Sequence, residues 1–294
     1  MLLYLDTRDL IALTDKISDL DREQFRTALG RVDGKLVYTL TNILETSAPL
    51  AHSGMNSNVE QRLNRLERMP HRYLAEARLE LVEFQAAAAA FLENRPYAPP
   101  APPFVPRFDY VISPFRPPIT ASVETYGLAQ MLIDIWRAEP KTMSGYANQG
   151  AKLRAIVAAD RSRPDYKRQG PNFKNKVARS LLQYGIEFPP GRIPDFANWI
   201  RKSGDRCPAV QLGYEVYHAL LKNVGDIPED SDMPDITHVT CVPYADLATL
   251  DARMRTYVAR ADKSLGTRFS ERVCRDLVDV TTRILSAANA DRNS

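Results

Sequence analysis

Asp6 ends the apolar run "MLLYL" that opens this 294-residue chain, and Asp251 ends a second apolar stretch, "YADLATL", near its other end. An acid at the end of a buried strand must be paired or must bind a cation, because an unpaired charge is too costly to bury. If both runs lie in one parallel sheet, both acids arrive outside the carboxyl ends of its strands, where ligands collect in α/β folds. Two more acids can reach the same mouth. Glu45 sits on the helix expected after a second strand. Asp235 follows Pro234 at a helix start, where the positive end of the helix dipole favours an acid. Clustered carboxylates repel and raise one another's pKa, so they are rarely kept without a cation. A hard divalent ion with oxygen ligands, Mg²⁺ or Mn²⁺, suits such a set best.

The elements that must position these acids follow from hydrophobic periodicity. Residues 1–6 read as a strand, 8–16 and 19–31 as helices, and 35–40 as a β-rich segment after the Asp33-Gly34 turn; the helix carrying Glu45 comes next. Strand, helical crossover, strand predicts a parallel sheet with a right-handed connection. Near the other end, Asp235 to about Cys241 reads as a helix and 244–251 as a strand. The helix "ARMRTYVAR" follows, and a last helix spans about 269–288. Between these lie helices at 58–69, 73–94, 122–137, 147–159, 193–204 and 210–225, with the run Ala86–Ala90 read as close helix packing. Nine prolines in 95–120 exclude a helix or a central strand there. The aromatics Tyr97, Phe104, Phe108, Tyr110 and Phe115 imply that this extended loop packs on the body. The expected fold is therefore α/β: a small parallel sheet flanked by helices, built from 1–54 and 226–294, with a large, mostly helical insertion at 55–225 that holds the Pro-rich loop 95–120.

Charge is nearly balanced, 39 basic against 36 acidic residues, and does not by itself imply nucleic acid. Its distribution says more. Residues 161–179 hold seven Lys or Arg and one acid, Asp165, with Tyr166 and Phe173 interleaved. A solvated loop is the plain reading of such a run. Charge with aromatics is also how single-strand binders track a backbone, which makes Lys167, Arg168, Lys174 and Lys176 candidate nucleic-acid contacts. Cys207, Cys241 and Cys274 are too scattered for a zinc site or a disulfide framework. Met1–Leu5 is too short for a signal peptide and nothing approaches a membrane span, so a cytoplasmic protein is expected. Residues 55–225 match no pattern, and no internal repeat is present.

With these motifs in order, the chain resembles the PIN-like nuclease domains. "YLDTRDLIAL" is similar to their opening strand ending in Asp, a small polar residue and an apolar helix; "YTLTNILETS" resembles their second motif; "DITHVTCVPYADLATLD" resembles the third and fourth together, the last a strand ending in Thr-x-Asp. The family pattern usually has Asn where this chain has Arg8 or Asp9. The resemblance covers about 1–50 and 226–262. It implies a PIN-like sheet and carboxylate roles for Asp6, Glu45, Asp235 and Asp251, with an accessory contribution from Asp246. It also implies RNA as substrate, without excluding single-stranded DNA, and a place among toxins or defence effectors with a controlling protein partner.

Each acid taken singly has a plainer reading. Asp6 and Asp251 are good N-caps for the helices that follow them. Glu45 suits a solvated helix face, and Asp235 a helix start without chemistry. His238, one turn after Asp235 on the same face, is either a packed core histidine or an accessory group touching substrate or a carboxylate. His52, His71 and His218 have no ligand spacing, and Asp230 and Asp232 read as surface acids. Conjunction favours the site: Asp6 and Asp251 as metal ligands, with Glu45 and Asp235 completing it through waters or as orienting groups and base. The expected activity is endonucleolytic hydrolysis of phosphodiesters with Mg²⁺ or Mn²⁺. The alternative is a PIN-like scaffold that binds nucleic acid or protein without cutting. A small-molecule phosphatase is disfavoured, since no DxDx spacing follows the first strand.

Overall fold

The computed structural model describes residues 1–50, 57–112, 127–138, 149–225, 227–229 and 231–290. His52, Phe115 and Asp230, the first residues of the helices read at 122–137 and 147–159, and part of the Pro-rich loop lie outside them. Six strands form one sheet: β1 (Leu2–Tyr4), β2 (Lys35–Tyr38), β3 (His71–Leu74), β4 (Phe104–Val105), β5 (Leu247–Thr249) and β6 (Val273–Cys274), in the order β4-β3-β2-β1-β5-β6. All neighbours run parallel except β3 and β4. The chain thus builds outward from β1 through β2 and β3, then returns to the other flank of β1 with β5 and β6. The direction of winding reverses between β1 and β5, the kind of place where α/β sheets open a crevice.

Alternation within the central strands explains why both faces are covered. Leu3, Leu5, Leu36 and Tyr38 point into one core. That core is closed by α1 (Thr7–Ile11), α2 (Asp19–Arg31), α3 (Leu40–Ser47), α4 (Ser57–Glu67) and further apolar helices, among them α14 (Leu277–Ala290). Tyr4 and Val37, one residue out of phase, point into the other core. There α11 (Pro208–Lys222), α12 (Asp232–Cys241) and α13 (Ala252–Leu265) bring Leu212, Val216, Val239, Met254 and Val258. The parts of β1, β2 and β5 that are covered on both sides are mostly apolar, as in other parallel sheets. A third core holds Phe84, Ala87 and Ala88 of α5 (Leu79–Leu92), Phe173 and Val177 of α9 (Gln169–Gln183), and Phe196 and Ile200 of α10 (Ile193–Arg201). The alanine run therefore lets helices approach closely.

Several boundaries differ from those expected. β3 occupies the start of the stretch read as helix 73–94, and β6 the start of the one read as helix 269–288. Each is four residues or fewer, too short for a period-2 pattern to outweigh neighbouring helix formers. β3 and β4 belong to the same sheet as β1 and β5, so the sheet draws on the 55–225 stretch as well as on the two ends of the chain. β4 lies on an edge between Pro103 and Pro106, the position at which proline is tolerated. The four-residue helix Asp109–Ile112 also forms within the Pro-rich stretch, against expectation, in its longest proline-free run. The first helix turns to π geometry at Ala12–Lys16.

One buried acid ties the helical lobe to the sheet. Glu83 of α5 is fully buried, and its two oxygens accept the backbone N–H groups of Ala209 (2.8 Å) and Val210 (2.9 Å) and the Tyr244 hydroxyl. Cys207, the residue before α11, has φ of 49° and offers no side-chain cap, so Glu83 caps that helix from across the core. Burial pushes its pKa up to about 7. Glu83→Ala should leave two helix N–H groups and a hydroxyl unpaired, at a cost of about 3 kcal/mol. Urea unfolding of the variant reads this directly, and an unchanged midpoint would contradict the cap.

Candidate functional site

The carboxyl ends of β1 and β5 deliver Asp6 and Asp251 as expected, and both also cap the helices behind them. Asp6 Oδ1 accepts the Asp9 amide (2.9 Å) at the start of α1, and Asp251 Oδ1 accepts the Met254 amide (2.8 Å) at the start of α13. The capping and site readings are therefore compatible: a cap uses one carboxylate oxygen. Thr249, fully buried at the end of β5, accepts the Asp6 amide at 2.9 Å and joins the two strand ends. Asp9 is buried beside Asp6. The half-exposed Arg8 guanidinium bonds Asp9 at 2.9 Å and stands 3.7 Å from Asp6 Oδ2. Burial first, then the Asp9 charge, pushes the Asp6 carboxyl up to about 6.

Glu45 enters from α3, which Thr39 and Asn42 start with a reciprocal capping box. Glu45 Oε2 accepts the Thr7 hydroxyl and the His238 Nε2–H (3.0 Å). His238 is 3% exposed, and its Nδ1 bonds the buried Tyr4 hydroxyl. Burial alone would lower the imidazole pKa. The bond and charge of Glu45, with Glu76 and Asp6 nearby, outweigh burial and raise it. The same pairing holds Glu45 below its usual range despite its own burial. His238 is thus both packed in the core and bonded to a site carboxylate.

Asp235 lies in the first turn of α12 rather than at its start. Burial, then the neighbouring Asp251 charge, pushes its carboxyl up to about 7. Asp232 opens the helix. It was expected on the surface, but it is completely buried and paired with Arg253. Asp246 does not belong to the site. It precedes β5, its carboxylate accepts the Leu2 amide at 2.7 Å, and it sits at the amino edge of the sheet, the far end of β1 from Asp6. The Thr-x-Asp pattern puts Asp251 past the strand, and β5 is long enough to carry Asp246 to the other edge.

Glu76 was missed. It follows β3 as Asp6 follows β1, so it reaches the same carboxyl edge. Oε1 accepts the Thr41 amide and hydroxyl (2.9 and 2.6 Å), Oε2 is buried without a partner, and burial raises its pKa. The strand-end signal that marked Asp6 would have marked Glu76 had β3 been separated from the helix behind it.

The basic window divides. Lys176 is spent on both oxygens of Glu80 (2.7 Å each), and Phe173 is buried in the third core, so neither faces a ligand. Lys167 lies over the Tyr166 ring, Arg168 is exposed at the start of α9, and Lys174 is half-buried. Cys207, Cys241 and Cys274 are free and buried, as scattered structural thiols would be. Among the described residues no helix is long and apolar enough to cross a membrane.

Fold and site together define an α/β protein with buried acids gathered at the switch point of a mostly parallel sheet. Compared with protein-family models, curated proteins and solved structures, the chain matches none of them. Among the described residues, no three His, Cys, Asp or Glu side chains are already grouped as the ligands of one metal ion would be.

The raised pKa of Asp235 carries a stability consequence. Its folded value of about 7 lies above the ordinary 3.8, so the folded state holds the proton more tightly. Stability is then lost as pH rises from about 4 through 7. Asp235→Asn should be more stable than wild type by about 1–2 kcal/mol at pH 8, after discounting for partial solvent access. That gain should shrink toward zero as pH falls to 4. Melting curves across this range test it, and a pH-independent difference would count against the cluster.

Proposed function

We propose that the protein is a metal-dependent nuclease of PIN-like type, hydrolysing phosphodiester bonds in RNA. The observation that carries this is the common electrostatic neighbourhood of Asp6, Glu45, Asp235 and Asp251. They come from four elements around one switch point, and two are driven toward neutral pKa values, Asp6 by burial and the adjacent Asp9, Asp235 by burial and the charges of Asp251 and Glu45. The donors suit a hard cation by type. Mg²⁺ keeps several waters and is held through one or two carboxylates, so the acids need not form a closed cage around it. Asp6 and Asp251 would hold the ion, and Glu45 and Asp235 would act through waters or as orienting groups. When bound, such an ion neutralises the phosphate and acidifies the attacking water.

The remaining work falls to this chain's own groups. Asp235, poised near neutrality, is suited to take a proton from water. Glu45 holds His238 and the Thr7 hydroxyl in fixed orientation. Thr249 fixes the backbone that presents Asp6. Lys167, Arg168 and Lys174 would contact the backbone of a single strand, with a salt slope of ~0.7 per phosphate.

One observation favours the second reading, a scaffold that binds without cutting. Arg8 already places a guanidinium beside Asp6 and Asp9, where the family pattern usually has Asn, and supplies locally the positive charge a metal would bring.

Two measurements separate these readings. Millimolar Mn²⁺ should raise the melting temperature of wild type, because it binds only the folded state. The rise should be lost in Asp6→Asn, together with at least 100-fold of the single-stranded RNA cleavage. Full cleavage by a folded Asp6→Asn protein would overturn the assignment. No Mn²⁺ shift and no cleavage, with RNA binding intact, would support the scaffold.

A further inference from the structure

A cavity of about 380 Å³ lies between the start of α9, the last turns of α11 and the middle of α13. His218 lines it, is 2% exposed, and has a buried Nε2 without any hydrogen-bond partner. Buried polar atoms in native proteins are rarely left so. Lys222 and Arg260 stand at the mouth, both exposed and neither in an ion pair among the described residues. We infer that this cavity binds a tetrahedral oxyanion, a phosphate-type group, held by Lys222 and Arg260 against the His218 imidazole. The inference is independent of the carboxylate site.

The surroundings remove what would repel an anion. Glu215, one turn before His218, is engaged by Arg201 and by the Gln169 amide. The carbonyls ending α11 point a negative dipole end this way, but Arg161 donates to those of Leu220, Leu221 and Asn223. Gln169, the first residue of the 15-residue helix α9, lines the cavity, and no side chain caps that helix. Its amino end therefore adds to the positive potential.

His218 makes occupancy sensitive to protons. Its ring stacks on Tyr214 at 5.6 Å, and the backbone of Tyr166 lies nearby. Tyr257 and Arg260 face it from α13. Burial first, then Lys222, pushes the imidazole down to about 4; Arg201 adds to this and Glu215 opposes it. With the cavity empty it is neutral at pH 7. An entering dianion reverses the local potential, so the ring takes up a proton and faces the ligand as an imidazolium. Binding should therefore tighten as pH falls.

Sulfate is the suitable probe, because it stays a dianion throughout. Calorimetric titration of the full chain at constant ionic strength should show sulfate binding about tenfold tighter at pH 5.5 than at pH 8. His218→Gln should abolish that pH dependence. The Lys222→Gln, Arg260→Gln double variant changes only exposed side chains; its circular dichroism should match wild type and its sulfate affinity should fall at least tenfold. No binding at 20 mM sulfate by folded wild type, or undiminished binding by the folded double variant, would overturn the inference. Competition identifies the source of the group. Displacement by single-stranded RNA in an Asp6→Asn background means a backbone phosphate, and displacement by inorganic phosphate alone means a free anion; both uphold the pocket.

Discussion

A carboxylate that is out of water must find donors, and the strand-end acids of this protein depend on how that demand is met. Asp6 meets it with one oxygen, by capping the helix its own strand leads into, and Asp251 does the same on the neighbouring strand. The cap fixes the angle at which the helix leaves the sheet. It also fixes the direction in which the other oxygen faces. Because β1 and β5 are adjacent and parallel, the two caps fall side by side. The site is therefore a by-product of how the central helices begin, and it cannot be loosened without loosening them.

Charge at this edge is balanced on two scales. Close in, His238 sits between Glu45 and Tyr4 with both ring nitrogens bonded to oxygen, an arrangement that favours the imidazolium. Further out, Arg8 covers Asp6 and Asp9 with a half-exposed guanidinium. Arg8 and His238, whose proton is held more tightly than usual, face five nearby acids (Asp6, Asp9, Glu45, Asp235, Asp251), so positive charge is scarce at this edge. Burial first, and then a neighbouring acid, raises Asp6 and Asp235 so that both hold protons toward the neutral range. A bound cation would displace those protons. Burial together with repulsion between the acids underlies both the pH dependence of stability and the affinity proposed for a divalent ion.

What was legible in the sequence follows from strand length and from contrast with neighbours. β1, β2 and β5 are short, but turns or polar residues bracket them, and each leads into a capped helix; Asp6, Glu45 and Asp251 could be placed from them. β3, β4 and β6 could not be seen, because strong helix formers or prolines adjoin them and only pairing within the sheet makes them strands. That blindness hid Glu76, and it made residues 55–225 look like an insertion separate from the sheet. Asp232 and Asp235 show a different failure. They lie one turn apart in the same helix, and sequence alone cannot tell which faces Arg253 and which faces Asp251. Tertiary packing decides that Asp232 is buried and paired while Asp235 joins the cluster.

Glu83, Glu76 and Asp6 are acids largely withdrawn from water, and the donors around them separate their roles. Glu83 has three donors distributed over both oxygens, so it has no capacity left for a ligand and serves as a clamp between helices. Asp6 has one oxygen engaged and the other near only a partly solvated guanidinium 3.7 Å away. Glu76 is intermediate: one oxygen is doubly bonded to Thr41 and the other is buried with no partner at all. An unsatisfied acceptor of this kind costs about 1–3 kcal/mol when nothing fills it. A group arriving from outside would relieve that cost. The unpartnered Glu76 oxygen lies at the carboxyl edge of the sheet, the same edge at which β1 and β5 deliver Asp6 and Asp251.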